Sequence, residues 1–500
     1  GQIEVEATGF TEITSAVQLA VSEENSLIKI GTGGLELVGS LYGGARISGP
    51  NVTWTGKTAD VEITSTGLIT VGGDGYDQAG ELVDRGGSVR ATGEIRIATS
   101  PSPSDVDLFV SSASFLQTDA TGAGALTSTG PSHIDINTAN GIAVSGLIET
   151  IDNNTVIDIA AGGLLYMDGY VEADQAVHLT GGSNASGIGI ILTQLVVATD
   201  AFDNQLNEDD HPIDRDGFLI DVDGNWVDAS GVATANPVYG GEPVRLSGGT
   251  IVTGVDGVIS LSAEQDVMVY GMLGQVYTTG TPAVPAVDVS AIDIASTAGT
   301  VEIRALVNSR DSITVIANDI HVLGGALVKT RHAGSDIYFK AQNSIFVERS
   351  PTIANRAKVE SAALVHFYAG DIRIDGSLSA AQTNSTILLN AVDDIVMFGE
   401  VVTPGDIELN AGVASNLTRA QSALGGFTTA ELVSGMIYVG GDAKLGVVTS
   451  SYSGANNVTL TAADDVKVES FAGIGGQRES AGPHIVTDPQ LIQVVTGSRQ

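Results

Sequence analysis

The chain has 500 residues, of which 43% are hydrophobic and 5% aromatic, with 63 glycines and no cysteine. Its 59 acidic and 22 basic residues give a formal net charge of −37, which repels nucleic acid and anionic lipid, so we expect neither as a direct partner. The lack of cysteine excludes disulfides and cysteine-based metal sites, and since no run of about 18 apolar residues occurs, we expect no membrane insertion.

Residues 1–195 are predicted to form short β-strands and almost no helix. Apolar and polar residues alternate in short runs, and Gly, Asn, Asp and Ser separate these runs. The alternation begins with the first residues and the chain has no starting Met, so we expect a processed product or an internal segment of a longer protein. The clearest runs are Ile3-x-Val5, Ile28-x-Ile30, Leu35-x-Leu37, Val61-x-Ile63, Ile95-x-Ile97, Ile134-x-Ile136 and Ile157-x-Ile159.

Residues 196–245 interrupt this rhythm and are predicted to be an acidic loop insertion. Alternate carboxylates around Asp-Gly turns suit calcium, a hard cation that takes about six to eight oxygen ligands. We therefore expect calcium as the cofactor, although the EF-hand loop is incomplete because Asn225 stands where its closing Glu would be. The alternative is a pair of ordinary Asp-Gly turns in a hydrophilic loop. The predicted ligands are Asp214, Asp216, Asp221, Asp223, Asn225 and Asp228.

Residues 246–477 carry the clearest internal repeat, which residues 258–273 (VISLSAEQDVMVYGML) show best. Two alternating runs flank a hinge that begins with a small residue, Ala263 in this copy. Successive hinge alanines are 54, 24, 28, 22, 20 and 51 residues apart by subtraction. Because the long gaps are about twice the short ones, we predict a coil of about 20 to 28 residues throughout. The pattern is lost in the tail, residues 478–500. The hinge alanines are Ala263, Ala317, Ala341, Ala369, Ala391, Ala411 and Ala462.

A coil of this length, with two or three short strands, cannot bury an apolar face alone. When coils stack at the ~4.8 Å strand spacing, each strand pairs with its counterparts above and below, and inward Ile, Leu and Val form ladders. We therefore predict an all-β fold, a right-handed parallel β-helix of about 20 coils and ~100 Å, with glycine at corners that need positive φ. A propeller or an array of β-sandwiches would repeat at longer periods that the sequence does not show.

The repeat can be written L-x-A-x-x-D-[IV]-x-[VM]-x-G-x-[LV]. It resembles the repeats of filamentous-haemagglutinin-like exoproteins, large adhesins exported by two-partner secretion, and the likeness covers about half of the chain, mainly residues 130–180 and 250–475. The resemblance implies an extracellular or cell-surface rod for adhesion, scaffolding or display, and it carries over no catalytic residues. Two copies that carry it are Leu261, Ala263, Asp266, Val267, Val269, Gly271 and Leu273, and Leu389, Ala391, Asp394, Ile395, Met397, Gly399 and Val401.

We predict a structural or adhesive function, without enzymatic activity. The expected partners are copies of the chain itself or neighbouring surface proteins, with glycans as a further candidate because Trp226 could contact a sugar. The main alternative is a carbohydrate-active β-helix enzyme, a polysaccharide lyase or glycosidase, which would need carboxylates gathered in a groove. Asp371 and Asp375 could each neighbour acidic residues one coil away. A second alternative is a subunit of a surface layer or an extracellular filament.

Overall fold

The structure is a computed structural model, and the regular elements in the part that it describes are all β-strands. No helix in this part is long and apolar enough to cross a membrane. The described residues are 1–48, 51–55, 57–76, 82–118, 133–151, 154–193, 196–197, 205–206, 211–213, 218–221, 225–228, 231–234, 238, 245–247, 249–254, 256–274, 289–349, 356–382, 384–415, 434–440, 443–446, 457–469, 473–474 and 491–496.

Most strands stack into parallel ladders. A 29-stranded sheet contains two of these ladders, sheet 1 and sheet 2, which are joined where Ser312–Val322 and Asp336–Val347 pass through both, and a separate sheet of 15 strands is sheet 3. The chain runs through sheets 1, 2 and 3 in turn and then returns to sheet 1 one coil further along. This is a parallel β-helix, as the repeat predicts.

The strands have the following bounds. Sheet 1 consists of Gln2–Glu6, Ser26–Thr32, Ala59–Ser65, Ile95–Thr99, His133–Thr138, Val156–Ala161, Ala176–Gly181, Val258–Ala263, Ala291–Ser296, Ser312–Val322, Asp336–Val347, Leu364–Ala369, Thr386–Ala391, Asp406–Ala411, Asn457–Ala462 and Leu491–Thr496. Sheet 2 adds Phe10–Ile13, Gly34–Leu37, Ile69–Val71, Val106–Val110, Gly141–Val144, Leu165–Met167, Ile188–Leu192, Asp266–Val269, Thr300–Ile303, Asp371–Ile374, Ile395–Met397, Ile437–Val439 and Val466–Val468. Sheet 3 consists of Gln18–Val21, Ser40–Gly43, Ser88–Ala91, Phe115–Thr118, Leu147–Thr150, Tyr170–Ala173, Thr250–Thr253, Met272–Leu273, Leu306–Ser309, Leu327–Thr330, Lys358–Ser361, Ser377–Ala380, Glu400–Val402, Lys444–Leu445 and Gly473–Ile474. Antiparallel pairs outside the ladders are Ala45–Ser48 with Asn51–Trp54, Gly73–Tyr76 with Leu82–Arg85, Val196–Val197 with Arg245–Ser247, and Gln205–Leu206 with Pro212–Ile213.

Apolar columns fill the inside of the coil. One column of sheet 1 runs from Ile3 to Ile492 through 16 register positions, and each of them is Ile or Val. From Ile28 to Val458 these side chains are at most 2% exposed. Fully burying one such side chain contributes roughly 1.5–3 kcal/mol. The core therefore contains a continuous column of branched side chains that runs through all the described coils of sheet 1.

The hinge alanines mark the coils, with one exception. Ser296 pairs with Ala263, so the gap of 54 residues does contain the expected second coil. Ala411, in contrast, pairs directly with Ala462, so the prediction of a second coil in the gap of 51 residues is wrong. The extra residues there lie in the connections 412–436 and 446–456. Long connections of this kind explain why sheet 1 has 16 strands, and hence about 15 rises of ~4.8 Å or ~70 Å, rather than about 20 coils.

The repeated aspartate ties each coil to the next. The Asp266 carboxylate accepts a hydrogen bond from the backbone N–H of Thr300, one coil further along, at 2.7 Å. Asp394 accepts one from the N–H of Met436 at 2.8 Å. A charged acceptor on an otherwise unpaired corner N–H is a strong hydrogen bond, so this residue is a connector between coils.

The repeated glycine is required by close approach of the backbone. A Cβ atom on Gly271 would lie 2.0 Å from the carbonyl oxygen of Gly249, and one on Gly399 would lie 2.0 Å from that of Gly376. Neither Gly271 nor Gly399 has a positive φ. The prediction that corner glycines need positive φ is therefore wrong for these two positions, where the stacking distance leaves no room for a side chain.

Candidate functional site

The long connections are concentrated along sheet 3. Between the described strands, nine connections have ten or more residues, and eight of these enter or leave sheet 3. The exception, 412–436, joins sheet 1 to sheet 2. Because binding residues are found disproportionately on and beside loops that a rigid scaffold positions, sheet 3 is the candidate functional face. The eight connections are 44–58, 72–87, 119–132, 193–249, 274–290, 348–357, 446–456 and 475–490.

A column of polar side chains runs along the outer face of sheet 3 in its amino-terminal half. The register places five residues one coil apart in succession, and their inward neighbours along each strand are buried. Alternation along the strands therefore points these five outward. We name this column the polar lane: Tyr42, Arg90, Gln117, Glu149 and Glu172.

A second outward column lies beside the polar lane. Phe115, Leu147 and Tyr170 occupy consecutive coils in it, and we name these three the apolar lane. Ser40 and Ser88 continue the same column toward the amino terminus. The two lanes give this face a polar strip and an apolar strip that run parallel to the axis of the coil stack.

The amino-terminal end of the lanes is aromatic and cationic. The Arg90 guanidinium lies 4.7 Å from the centroid of the Phe115 ring, in cation–π contact. Trp54, on the hairpin strand that follows the first of these coils, packs edge-on against Tyr42 with centroids 6.2 Å apart. These contacts hold the planar side chains of Arg90 and Trp54 beside sheet 3.

The carboxyl-terminal end of the polar lane holds two carboxylates on adjacent coils. Glu149 and Glu172 are register partners, and the Gln117 amide donates to the Glu149 carboxylate at 2.6 Å. Burial raises the pKa of Glu172, the hydrogen bond from the Tyr170 hydroxyl opposes this rise, and the charge of Glu149 adds to it. Burial, and then the charge of Glu172, raise the pKa of Tyr170. Glu172, which retains its proton more readily than an ordinary Glu, thus lies beside Glu149, which accepts a hydrogen bond. Such a pair is suited to proton exchange or to binding hydroxyl groups.

In the described part of the acidic insertion, hydrogen bonds from backbone N–H groups to Asp carboxylates recur at a spacing of seven residues. The carboxylate of Asp221 accepts the backbone N–H of Asn225 at 2.8 Å, and that of Asp228 accepts the N–H of Val232 at 3.0 Å. Ile213, Leu219 and Val227 form a small apolar cluster beneath these turns. The insertion therefore has local structure of its own. Cross-turn bridges follow the same spacing and join Ile213 to Leu219, Ile220 to Trp226, and Val227 to Ala233.

The structure locates only part of the predicted calcium ligand set. Asp214, Asp216 and Asp223 lie outside the described residues, whereas Asp221 and Asp228 cap turns and the Asn225 amide donates to Asp221. Among the described residues, no three His, Asp or Glu side chains form a group that could hold a metal ion. Calcium binding by the insertion stays a prediction.

The other side chains considered from the sequence are not part of the lanes. Asp371 accepts the N–H of Asp394 at 3.1 Å in the contact between coils, and Asp375 forms an ion pair with Arg373 at 2.7 Å on sheet 2. Trp226 lies on the insertion and is 41% exposed.

Sequence reasoning missed the lanes. The strands LIET and YVEA both have Glu as their third residue. An alignment of the sequence coil by coil would therefore have paired Glu149 with Glu172.

No protein-family model, curated protein or solved structure matches this chain.

Proposed function

We propose that this chain is a structural or adhesive rod, exported to the cell surface or beyond, that contacts its ligand through the outer face of sheet 3. The observation that carries the proposal is the placement of eight of the nine long connections at the edges of that one sheet. A stiff scaffold with one decorated face is suited to holding a binding surface at a distance from its point of attachment.

Two sequence features support this function. The repeat resembles that of filamentous-haemagglutinin-like exoproteins, which are surface adhesins. The net charge of −37 suits a protein that stays soluble outside the cell and is stabilised by calcium, for which the acidic insertion is the proposed site.

Electron microscopy combined with a turnover assay tests the proposal. Purified chain should appear as separate rods whose stacked core is ~70 Å long, and it should leave acidic and neutral polysaccharides uncleaved. Compact particles without an elongated axis would contradict the rod. Ordered fibres or sheets would favour the alternative of a filament or surface-layer subunit.

The second candidate function is a carbohydrate-active enzyme, and Glu149 with Glu172 favours it. Two carboxyl groups on adjacent coils are the residue types that glycoside hydrolysis requires. Release of reducing ends or of unsaturated sugars from any polysaccharide, abolished by both Glu149→Gln and Glu172→Gln, would establish this function in place of the structural one. Activity that survives both substitutions would assign the cleavage to other residues.

A further inference from the structure

The two lanes on sheet 3 have the chemistry of a surface for a chain of sugars. A pyranose ring has apolar faces and a polar rim of hydroxyl groups. The apolar lane offers Phe115, Leu147 and Tyr170 to the ring faces, and the polar lane beside it offers the half-buried Glu149 and Glu172 to the hydroxyl groups. Aromatic side chains with a polar partner alongside are an effective combination for such ligands.

The spacing of the lanes matches an extended polymer. Each lane position is filled again one coil further along, although by a different side chain, so contacts recur at ~4.8 Å, close to the advance of one sugar unit in an extended glycan. The polar lane spans five coils, from the Ser40–Gly43 strand to the Tyr170–Ala173 strand, and the apolar lane spans the last three of them. A ligand that lies along the axis of the stack would therefore meet several consecutive contacts.

The edges of this part of sheet 3 both carry inserted segments. Connections 72–87 and 193–249 enter the sheet from sheet 2, and connections 44–58 and 119–132 leave it toward sheet 1. Within the first of the departing connections, Trp54 contacts Tyr42. The lanes thus occupy a stretch of sheet 3 that is flanked by long connections at both edges.

The charge pattern of the polar lane favours a neutral ligand. Arg90 stands at one end, and Glu149 and Glu172 stand at the other, with the Gln117 amide between them. A polyanion would be repelled by the carboxylates and by the overall charge of −37, so the lane favours a neutral polysaccharide over an acidic one. A neutral chain of hydroxyl groups can use donors and acceptors along the whole lane.

We propose that the polar and apolar lanes of sheet 3 bind a neutral polysaccharide whose chain lies along the axis of the coil stack. The proposal deepens the proposed function and rests on it, since it names the ligand class of the same face. Phe115, through the ring face opposite Arg90, and Tyr170 stack on sugar rings, and Glu149 and Glu172 hydrogen-bond to hydroxyl groups. The buried Gln117 amide donates to Glu149 and orients that carboxylate.

Affinity electrophoresis of the full chain tests the proposal. The gels contain a β-glucan, a galactomannan or a xylan as neutral probes, polygalacturonate as the anionic probe, and chitosan as the cationic probe. At least one neutral polysaccharide should retard the protein, and the retardation should persist from about 0.05 to 0.5 M salt because it does not depend on charge. Phe115→Ala should weaken binding by at least about tenfold, as expected for a central aromatic contact.

Phe109→Ala is the matched control. Phe109 is likewise half-buried and outward-facing in the same coil, but it belongs to sheet 2, so its substitution should leave the retardation unchanged. Each variant is first checked for an unchanged rod shape and melting temperature. Tyr170→Phe, which keeps the ring and removes the hydroxyl group, should reduce binding less than Phe115→Ala if stacking dominates.

Three outcomes would overturn the proposal. These are intact rods that no neutral polysaccharide retards, retardation that Phe115→Ala and Phe109→Ala weaken equally, and retardation by chitosan or polygalacturonate alone. In each case electron microscopy reports separately on the rod, so failure of the ligand assignment is distinguishable from failure of the proposed function.

Discussion

The ring of Phe339 stacks on the ring of Phe367 one coil further along, with centroids 4.8 Å apart and planes within 2° of each other. Both side chains are fully buried, and Leu389 follows them at the same register position. The ring separation equals the strand spacing, so the backbone ladder itself sets the stacking distance. The two rings lie in a second inward column of sheet 1, between the aliphatic side chains of Val315 and Leu389.

Phe367→Ala should lower the free energy of unfolding by about 3–5 kcal/mol, because a buried aromatic side chain is lost and a cavity remains. Phe367→Leu should cost less, since the next coil already accommodates Leu389 in this column. Urea unfolding followed by circular dichroism measures the difference. Phe109→Ala, at a half-buried outward position, serves as the control, and an equal loss in that variant would contradict the special role of the stacked pair.

Asp266→Ala should destabilise the protein by about 1–3 kcal/mol, because the N–H of Thr300 would lose its charged acceptor. Glu264→Ala, two residues earlier and exposed, should have little effect. Hydrogen exchange gives the sharper measurement: the amide of Thr300 should lose protection in the Asp266 variant and keep it in the Glu264 variant. Unchanged protection in both would show that Asp266 does not connect the coils.

Asp107 should make the stability depend on pH at the acidic end. Burial alone would raise its pKa, but hydrogen bonds from Ser102, Thr99 and Asn140 outweigh burial and lower the pKa below the ordinary 3.8. The folded state therefore binds the proton less readily than the unfolded state. The stabilisation by the carboxylate is present above about pH 4 and is lost as the pH falls through the folded-state pKa.

The measurement for Asp107 is a series of melting temperatures between about pH 7 and about pH 2.5. Asp107→Asn should be less stable than the natural chain at pH 7, and the difference should shrink as the pH falls. A difference that stays constant across the series would mean that the carboxylate charge contributes nothing.

Glu172 should act in the opposite direction. Its pKa in the folded state is raised above the ordinary 4.5, so the folded state binds the proton more readily than the unfolded state. The folded state therefore loses stability as the pH rises from the ordinary pKa through the raised one. The melting temperature of Glu172→Gln should therefore rise relative to that of the natural chain between about pH 4 and about pH 7. Glu360→Gln, on the same sheet but paired with Lys329 at 2.8 Å, should show no such gain.

Calcium should raise the melting temperature of the chain if the acidic insertion binds it. Asp221 and Asp228 cap turns, so substitutions there combine two effects. The sharper variant is Asp216→Ala with Asp223→Ala, which leaves both turn-capping carboxylates in place. Calorimetric titration with calcium should give heat of binding for the natural chain and none for this variant. If the natural chain gives no heat of binding, the prediction that the acidic insertion binds calcium is wrong.

The fold was predictable from the sequence because each inward position repeats with the coil. Ile3, Ile28 and Val61 alternate with polar residues, and that pattern alone specifies strands with one buried face. The pairing of Ala411 with Ala462 was not predictable, because the spacing of 51 residues is equally compatible with one interrupted coil or two short ones.

The lanes escaped sequence analysis for a different reason. Glu149 and Glu172 are 23 residues apart by subtraction, and only the register of sheet 3 brings them together. Their separation matches the predicted coil length, but outward residues differ from coil to coil, so the repeat of inward residues does not mark them. The acidic insertion stands out by its composition, whereas the polar lane consists of ordinary residues.

The constant register of the apolar columns makes one coil a unit of gene duplication. A segment cut between equivalent positions, such as Ile387 and Ile407, can be lost or copied while every remaining inward side chain keeps its orientation. The connections at sheet 3 can change independently, because they lie outside the columns. The length of the coil stack and the connections at sheet 3 can therefore change by separate mutations.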